Sequence, residues 1–223
     1  MDQHSAEWWQ IRCGRVTASR VYDIMARTQK GAYTAARGNY LKEKVAERVT
    51  GKPRGRRRVP SLEYRLELEP DARAAYEFYY DEKIELAGFI EHPRIPNAGC
   101  SPDGLIGVDG GIEIKCCDPE QHLEIITNEA IDPGYLYQCY FNIACTERKW
   151  WAFTAFNPDM PEEAKVWRKV IERDDEVIAA MESEVIEFLA EVNQKVEQVR
   201  AALRGSTPLA AALEGSLESL RVH

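Results

Sequence analysis

Apolar positions in the first third of the chain recur at the spacing of amphipathic helices. Helices are predicted in SRVYDIMAR, in NYLKEKVAERV and from about Leu62 to Tyr80. Thr17 is suited to cap the first helix and Gly51 to end the second. Because proline disrupts a helix interior, we expect Pro70 to split the third segment and to lie in the first turn of a new helix.

The middle of the chain has the alternation of β-strands. Strands are predicted in KIELAGFIEH, GLIGV, GIEIKCC, RKWWAFTAF and KVWRKVIER. Between GIEIKCC and RKWWAFTAF, two helices are predicted, one beginning at Pro119 and one at Pro133. After the last strand, a long amphipathic helix is predicted from Asp174 to about Leu203. This order predicts one α/β domain over residues 1–203, with a central mixed sheet flanked by helices and a basic helical region over residues 1–60. Residues 204–223 are predicted to form a short helix or tail.

Charge is segregated along the chain. The formal net charge is -8, but residues 1–60 contain fourteen lysines and arginines against five acids, a local charge of +9. This asymmetry is expected if one face binds a polyanion such as DNA, although a solvated basic helix with an acidic helical tail gives the same totals.

Several classes of protein are disfavoured by the sequence. The chain contains no apolar run long enough to span a membrane, and its N-terminus lacks the pattern of a signal peptide, so we expect a cytosolic protein without a membrane partner. The six cysteines and four histidines have no zinc-site spacing, which indicates reduced, mostly buried thiols.

The segment SPDGLIGVDGGIEIKC carries the candidate chemistry. Side chains alternate along a strand, so Glu113 and Lys115 share one face while Ile112 and Ile114 face the apolar side. Asp103 joins Glu113 only if the intervening turn contains an odd number of residues, because a two-residue turn would place Asp103 on the opposite face.

Two carboxylates that converge in this way favour a hard cation such as Mg²⁺ or Mn²⁺. Such an ion activates water and binds a phosphodiester oxygen, which points to hydrolysis of a phosphate ester. The alternative is an exposed Glu113–Lys115 ion pair and an Asp103 that only starts a turn. The basic N-terminal quarter favours the nuclease interpretation.

The combination of Pro102-Asp103 with Glu113-Ile114-Lys115 resembles the PD-(D/E)xK nuclease superfamily. The segments WWQIRCGRVTAS, LEPDARAAYEF, YLYQCYFNIACT and VIERDDE extend the resemblance, from about Trp8 to Val199, to the lambda-type phage exonuclease (viral recombinase) family. It implies a restriction-endonuclease-like α/β fold, a ring-shaped homotrimer, and Mg²⁺-dependent 5′-to-3′ digestion of one strand of duplex DNA.

The resemblance also assigns roles to individual residues. It implies that Asp103, Glu113, Glu69 and the Ile114 carbonyl contact metal, with two Mg²⁺ or Mn²⁺ ions expected per site, and that Lys115 orients the attacking water. A second interpretation of Glu69 is an acid that favours the start of the helix after Pro70.

The resemblance implies further roles outside the carboxylate group. Arg12 and Ser19 match positions that bind a 5′-phosphate, although Ser19 also suits a helix cap. Gln138 and Tyr140 match a helical motif beside the active site. The Arg-rich loop over residues 52–58 departs from the family pattern, and it either follows the DNA backbone or is a solvated loop. Its candidate backbone-binding residues are Arg54, Arg56, Arg57 and Arg58.

The resulting hypothesis is an exonuclease that digests linear duplex DNA from its ends and leaves a 3′ overhang for homologous recombination. The expected partners are duplex ends, two further copies of the chain and a single-strand annealing protein, in the cytoplasm of a bacterial host of a phage or prophage. The alternatives are an endonuclease or repair nuclease of the same superfamily and a non-catalytic DNA-binding protein of the same fold.

Overall fold

Two β-sheets and seven α-helices form the regular structure of the described residues, which are residue 3, residues 5–54 and residues 60–205 of a computed structural model. The helices are α1 (Ala6–Arg12), α2 (Val21–Met25), α3 (Ala35–Thr50), α4 (Pro60–Tyr80), α5 (Pro119–Asn128), α6 (Pro133–Thr146) and α7 (Asp175–Gly205). The strands are β1 (Val16–Thr17), β2 (Ile84–Glu85), β3 (Ile90–Glu91), β4 (Ala98–Cys100), β5 (Gly104–Ile106), β6 (Gly110–Cys116), β7 (Trp150–Phe156) and β8 (Val166–Glu172).

The larger sheet has five strands in the order β2-β5-β6-β7-β8. β6 and β7 are parallel and the other neighbours are antiparallel, so the predicted mixed sheet is confirmed. The smaller sheet has the order β1-β4-β3. β6 begins with two glycines because a Cβ at Gly110 or Gly111 would lie 2.0 or 2.2 Å from the rings of Trp150 and Trp151 on β7.

The two faces of β6 meet different surroundings. Ile112 and Ile114 pack with Ala72 and Tyr76 of α4 in one apolar cluster. Glu113, on the opposite face, is hydrogen-bonded to α6. The predicted alternation along this strand is therefore confirmed. α6 and α7 contribute to the larger apolar cluster, which also contains α2 and part of α3.

Pro70 does not divide the helix that contains it, so the predicted split is wrong. α4 is one helix of 21 residues with Pro70 in its interior. An interior proline removes one backbone hydrogen bond, but the residues that follow it, Ala72 and Tyr76, are completely buried against the sheet. Packing of this face outweighs the local preference of proline to end a helix.

Other boundaries also differ from the sequence prediction. The KIELAGFIEH segment forms two short strands, β2 and β3, which belong to different sheets, and β4 was not predicted. Thr17 precedes a 3-10 turn at Ala18–Arg20, and its side chain makes no capping hydrogen bond there. The helix ending at Gly51 is confirmed, with Gly51 in the left-handed conformation at φ 66°.

Long apolar helices of the kind that cross a bilayer are absent from the described ranges. Of the predicted C-terminal segment, residues 204 and 205 end α7, and residues 206–223 lie outside the described residues.

Candidate active site

The β5–β6 hairpin places Asp103 and Glu113 on the same face of the sheet. Gly104 pairs with Ile112 and Ile106 pairs with Gly110, which leaves the three residues 107–109 as the loop. Gly107 supplies the positive φ, 52°, that such a loop needs. The odd loop that the nuclease interpretation requires is therefore confirmed. When the register is continued by one residue, Asp103 lies directly opposite Glu113.

The Asp103 side chain provides a hydrogen-bond acceptor for β6 at the point where the backbone pairing of β5 with β6 ends. Its Oδ2 accepts a hydrogen bond from the backbone N–H of Ile114 at 2.7 Å. Burial raises the pKa of Asp103 well above its ordinary value, and the negative charges of Glu113 and Glu69 raise it further. Lys115 and the Ile114 N–H act in the opposite direction but do not outweigh these effects. The ionised carboxylate is therefore electrostatically unfavourable when no cation is bound.

Glu113 is the most buried of the three candidate carboxylates, Asp103, Glu113 and Glu69, with a relative exposure of 2%. Its Oε1 accepts hydrogen bonds from Lys115 Nζ and Gln138 Nε2, both at 2.6 Å. Burial alone would lower the pKa of Lys115, but the charges of Glu113 and Asp103 raise it above its ordinary value. The ammonium therefore stays protonated, and it also lies 4.8 Å from the centre of the Tyr135 ring.

Glu69 approaches this group from α4. Burial raises its pKa; the positive charge of Arg73 lowers it, and the negative charge of Glu113 raises it. Glu69 and Arg73 form an ion pair at 3.6 Å. Because α4 is continuous through Pro70, Glu69 does not start a helix, and that alternative interpretation is wrong.

The donor set of this group suits a hard divalent cation. Asp103, Glu113 and Glu69 supply carboxylate oxygens. Burial, and secondarily the neighbouring carboxylates, raise the pKa of Asp103 and of Glu69, so a bound cation would favour their ionised forms. Among the described residues, however, no three His, Cys, Asp or Glu side chains are close enough together to form a ready cation site. Glu113 is instead satisfied by Lys115 and Gln138.

A cleft of about 970 Å³ is lined by the three carboxylates Asp103, Glu113 and Glu69 and also by residues from α1 and the following turn. Arg12 and Ser19, the predicted phosphate-binding residues, both line it. Arg12 Nη1 donates to Ser101 Oγ at 2.7 Å, and its guanidinium carbon lies 4.0 Å from the centre of the Trp8 ring. Ser19 is exposed in the 3-10 turn and caps neither that turn nor α2, whose N-cap residues are Thr17 and Arg20.

Ser101 is a cleft residue that the sequence interpretation missed. Its Oγ accepts hydrogen bonds from Arg12 and from Trp8 Nε1, the latter at 2.9 Å. Ser101 follows β4 and lies two residues before Asp103. The short connection between β4 and β5 therefore contributes both the partner of Arg12 and one of the carboxylates to the cleft. Its position next to the Pro102-Asp103 motif was the signal that could have identified it.

The basic loop enters this cleft at Arg54. The Arg54 backbone N–H donates to Glu47 Oε1 at 2.9 Å, and the buried Glu47 carboxylate also accepts from Lys44 Nζ at 2.5 Å. Lys44 and Arg20 also line the cleft, and the sequence did not identify them as site residues. The remaining predicted backbone-binding residues, Arg56, Arg57 and Arg58, lie outside the described residues.

α6 brings Gln138 to the site but not Tyr140. Gln138 lines the cleft, whereas Tyr140 lines a separate cavity beside β8 and the start of α7. Residues two apart on a helix point in nearly opposite directions, so the two cannot share a face. Asn142, one turn after Gln138, is the second α6 residue on Glu113, donating to its Oε2 at 3.1 Å. The four-residue spacing was the available signal for it.

The chain matches the model of the YqaJ-like viral recombinase domain over residues 7–149. The crystal structure of an alkaline exonuclease from Laribacter hongkongensis has 37% sequence identity and a TM-score of 0.84, covering 91% of this chain and 100% of that one. Its complex with dAMP gives a TM-score of 0.85 at the same identity and coverage. A phage related exonuclease from Haemophilus somnus, with 14% identity, a TM-score of 0.69 and coverage of 83% and 96%, is similar in fold alone.

No curated protein matches the chain. The predicted resemblance to viral recombinases and the predicted PD-(D/E)xK fold are nevertheless confirmed, because the family model covers more than half of the sequence and the solved exonucleases share the architecture. This chain belongs to the YqaJ-like viral recombinase domain family.

Proposed function

We propose that this protein is a metal-dependent exodeoxyribonuclease that digests one strand of linear duplex DNA in the 5′-to-3′ direction. The product is a 3′ overhang for homologous recombination by strand annealing. The observation that carries this proposal is the shared cleft, in which the carboxylate–lysine group of Asp103, Glu113 and Lys115 lies with the Arg12–Ser101 pair. Family membership and the similarity to an alkaline exonuclease support the nuclease part.

Asp103, Glu113, Glu69 and the Ile114 carbonyl would hold Mg²⁺ or Mn²⁺, as one ion or two. When bound, the cation lowers the pKa of a coordinated water and withdraws charge from the scissile phosphate. Lys115 supplies a fixed positive charge beside the carboxylates. Because its pKa is raised, it remains an ammonium that can orient water and stabilise the negative charge that develops on phosphorus-bound oxygens.

The other part of the cleft is suited to a terminal phosphate. The Arg12 guanidinium is held against the Trp8 ring and bonded to Ser101, so its planar donor group is already oriented. The exposed Ser19 hydroxyl provides another donor in the same cleft. A phosphate bound here would place the first phosphodiester of the 5′-ended strand toward the carboxylates, which gives a physical reason for digestion from a 5′ end.

The remaining parts of the proposal rest on the family resemblance. A homotrimeric ring would enclose the duplex and turn repeated rebinding into movement along one strand. Arg54, with Arg56, Arg57 and Arg58 of the basic loop, would bind backbone phosphates in a salt-dependent manner. A single-strand annealing protein would receive the 3′ overhang.

Digestion of linear duplexes labelled separately at each 5′ and 3′ end tests the proposal. We expect early release of the 5′ label with Mg²⁺, retention of the 3′ label, and no release in EDTA. Asp103→Asn and Lys115→Ala variants should bind duplex ends but release the label more slowly than the wild type does. Cleavage of a covalently closed circle would instead indicate an endonuclease, and metal-independent DNA binding without hydrolysis would indicate a non-catalytic protein.

A further inference from the structure

The two carboxylate oxygens of Glu113 have different surroundings. Oε1 contacts Lys115 Nζ and Gln138 Nε2, and both of these residues line the cleft. Oε2 contacts Asn142 Nδ2 at 3.1 Å. Asn142 has a relative exposure of 0% and does not line the cleft. The carboxylate therefore presents one oxygen to the cleft and directs the other into the interior.

α6 aims two amide groups at this single carboxylate. Gln138 and Asn142 are four residues apart, so they lie on the same face of the helix, one turn apart. The orientation of the Asn142 amide is fixed by its partner, because a rotated amide would place its oxygen against Glu113 Oε2, and two acceptors would then be in contact. The Asn142 N–H group is therefore held toward the carboxylate.

The Asn142 side chain is poorly explained by packing alone. Its Oδ1 is buried and has no hydrogen-bond partner within the described part of the chain. A buried acceptor without a partner is unfavourable, and the neighbouring α6 residues Phe141 and Ile143 belong to the apolar core. An apolar residue of similar size would avoid the cost of Oδ1 but would leave Glu113 Oε2 without its donor.

We propose that Asn142 is a positioning residue for Glu113. Its amide holds Oε2 in the interior, so that Oε1 is the oxygen that faces the cleft, where Lys115 and a divalent cation compete for it. Glu113 then contributes one oxygen to the cation rather than two. This inference rests on the proposed metal-dependent function and deepens it, because it assigns the orientation of one carboxylate to a residue that does not itself contact the cleft.

The test measures the affinity of the DNA-free full chain for Mn²⁺ alone. The electron paramagnetic resonance signal of free Mn²⁺ reports how much of the ion remains unbound. Asn142→Leu keeps the branched shape and removes the donor, and Asn142→Ala removes the donor without adding volume. Loss of such an outer partner weakens metal binding by about 10- to 100-fold, and we expect that range for both variants. In digestion assays at a fixed, subsaturating Mn²⁺ concentration, kcat should fall while KM for duplex ends stays unchanged.

Asn157→Leu is the matched control. Asn157 is also buried, and its Nδ2 donates to the Cys117 carbonyl at 2.8 Å rather than to Glu113. This variant should lose thermal stability in EDTA but keep wild-type Mn²⁺ affinity. Equal loss of Mn²⁺ affinity in the Asn142 and Asn157 variants would overturn the proposal, since it would show general loosening of the fold.

Unchanged Mn²⁺ affinity and kcat in both Asn142 variants would also overturn it. The wild-type protein separates this failure from failure of the proposed function. If the wild type binds Mn²⁺ and digests linear duplex but the Asn142 variants do the same, only the positioning role is wrong. If the wild type neither binds Mn²⁺ nor digests duplex ends, the proposed function and the positioning role are both wrong.

Discussion

Replacing Asp103 by Asn should stabilise the metal-free protein while it removes nuclease activity. Burial and the charges of Glu113 and Glu69 raise the pKa of Asp103, so the ionised carboxylate destabilises the fold at neutral and higher pH. Asn has the same shape, and its side-chain oxygen can still accept the hydrogen bond from the Ile114 N–H. The substitution therefore removes a repulsive charge without removing the contact that ends the β5–β6 ladder.

The size of the effect follows from the hairpin register. Asp103 and Glu113 are directly opposite on neighbouring antiparallel strands, and two unit charges about 5 Å apart repel by about 3 kcal/mol at an effective dielectric constant near 20. Attraction to Lys115 and the stronger hydrogen bond made by a charged acceptor offset part of this, which leaves about 1–2 kcal/mol. At about 2–4 °C per kcal/mol for a chain of this size, we expect a rise in Tm of about 2–8 °C.

Thermal unfolding followed by circular dichroism in EDTA at pH 8 measures this difference. The wild type should also gain stability as the pH falls from 8 toward the ordinary carboxyl range, because the raised pKa values of Asp103 and Glu69 make their contribution largest at low pH and lost as pH rises. Asp103→Asn should flatten this dependence, and Mg²⁺ should stabilise the wild type more than the variant. A lower Tm for the variant in EDTA would refute the reasoning and identify the Asp103 carboxylate as a structural group.

Three further results are expected. Lys115→Met should lower kcat by about 10²- to 10³-fold with little change in KM for duplex ends, measured by single-turnover digestion, and a wild-type rate would exclude its role at the reacting phosphate. Arg12→Gln should lose about 2 kcal/mol of charge-assisted binding and so abolish a preference for 5′-phosphorylated over 5′-hydroxyl ends; a preserved preference would place the phosphate elsewhere. Burial lowers the pKa of His92 despite the opposing charge of Glu182, so the neutral ring stabilises the fold above about pH 6.5 and this contribution is lost as pH falls, opposing the gain from Asp103 and Glu69. His92→Asn, which keeps a side-chain acceptor, should therefore make the rise in urea midpoints from pH 7 to 5 steeper, and an unchanged slope would exclude the imidazole as the source of the opposing loss.

The sequence was most informative where the chemistry depends on strand alternation. The apolar alternation in GIEIKC determined the shared face of Glu113 and Lys115, and the parity of the loop then decided the side of Asp103. The turn composition is compatible with both an odd and an even loop, so the sequence could state the parity only as a requirement of the nuclease interpretation. The resemblance supplied Glu69, whose place in the cleft depends on α4 being continuous.

Features that depend on tertiary packing were not accessible from local pattern. Pro70 has a strong local preference to end a helix, and only the burial of Ala72 and Tyr76 explains why α4 continues. The family motif includes Tyr140, but helix geometry places Tyr140 in another cavity, and Asn142 is the α6 residue that contacts Glu113 Oε2. Trimer formation, polarity of digestion and the annealing partner stay predictions.

The most direct test of the central claim is a crystal structure of the protein with Mn²⁺ and a 5′-phosphorylated duplex end, with the ion located by its anomalous scattering. We predict an anomalous peak in contact with one oxygen of Asp103 and with Oε1 of Glu113, while Lys115 has moved from Oε1 toward the scissile phosphate. A cleft with bound DNA but no anomalous peak, with Asp103 and Glu113 still satisfied by the Ile114 N–H and Lys115, would contradict the claim that these carboxylates form a metal-dependent nuclease site.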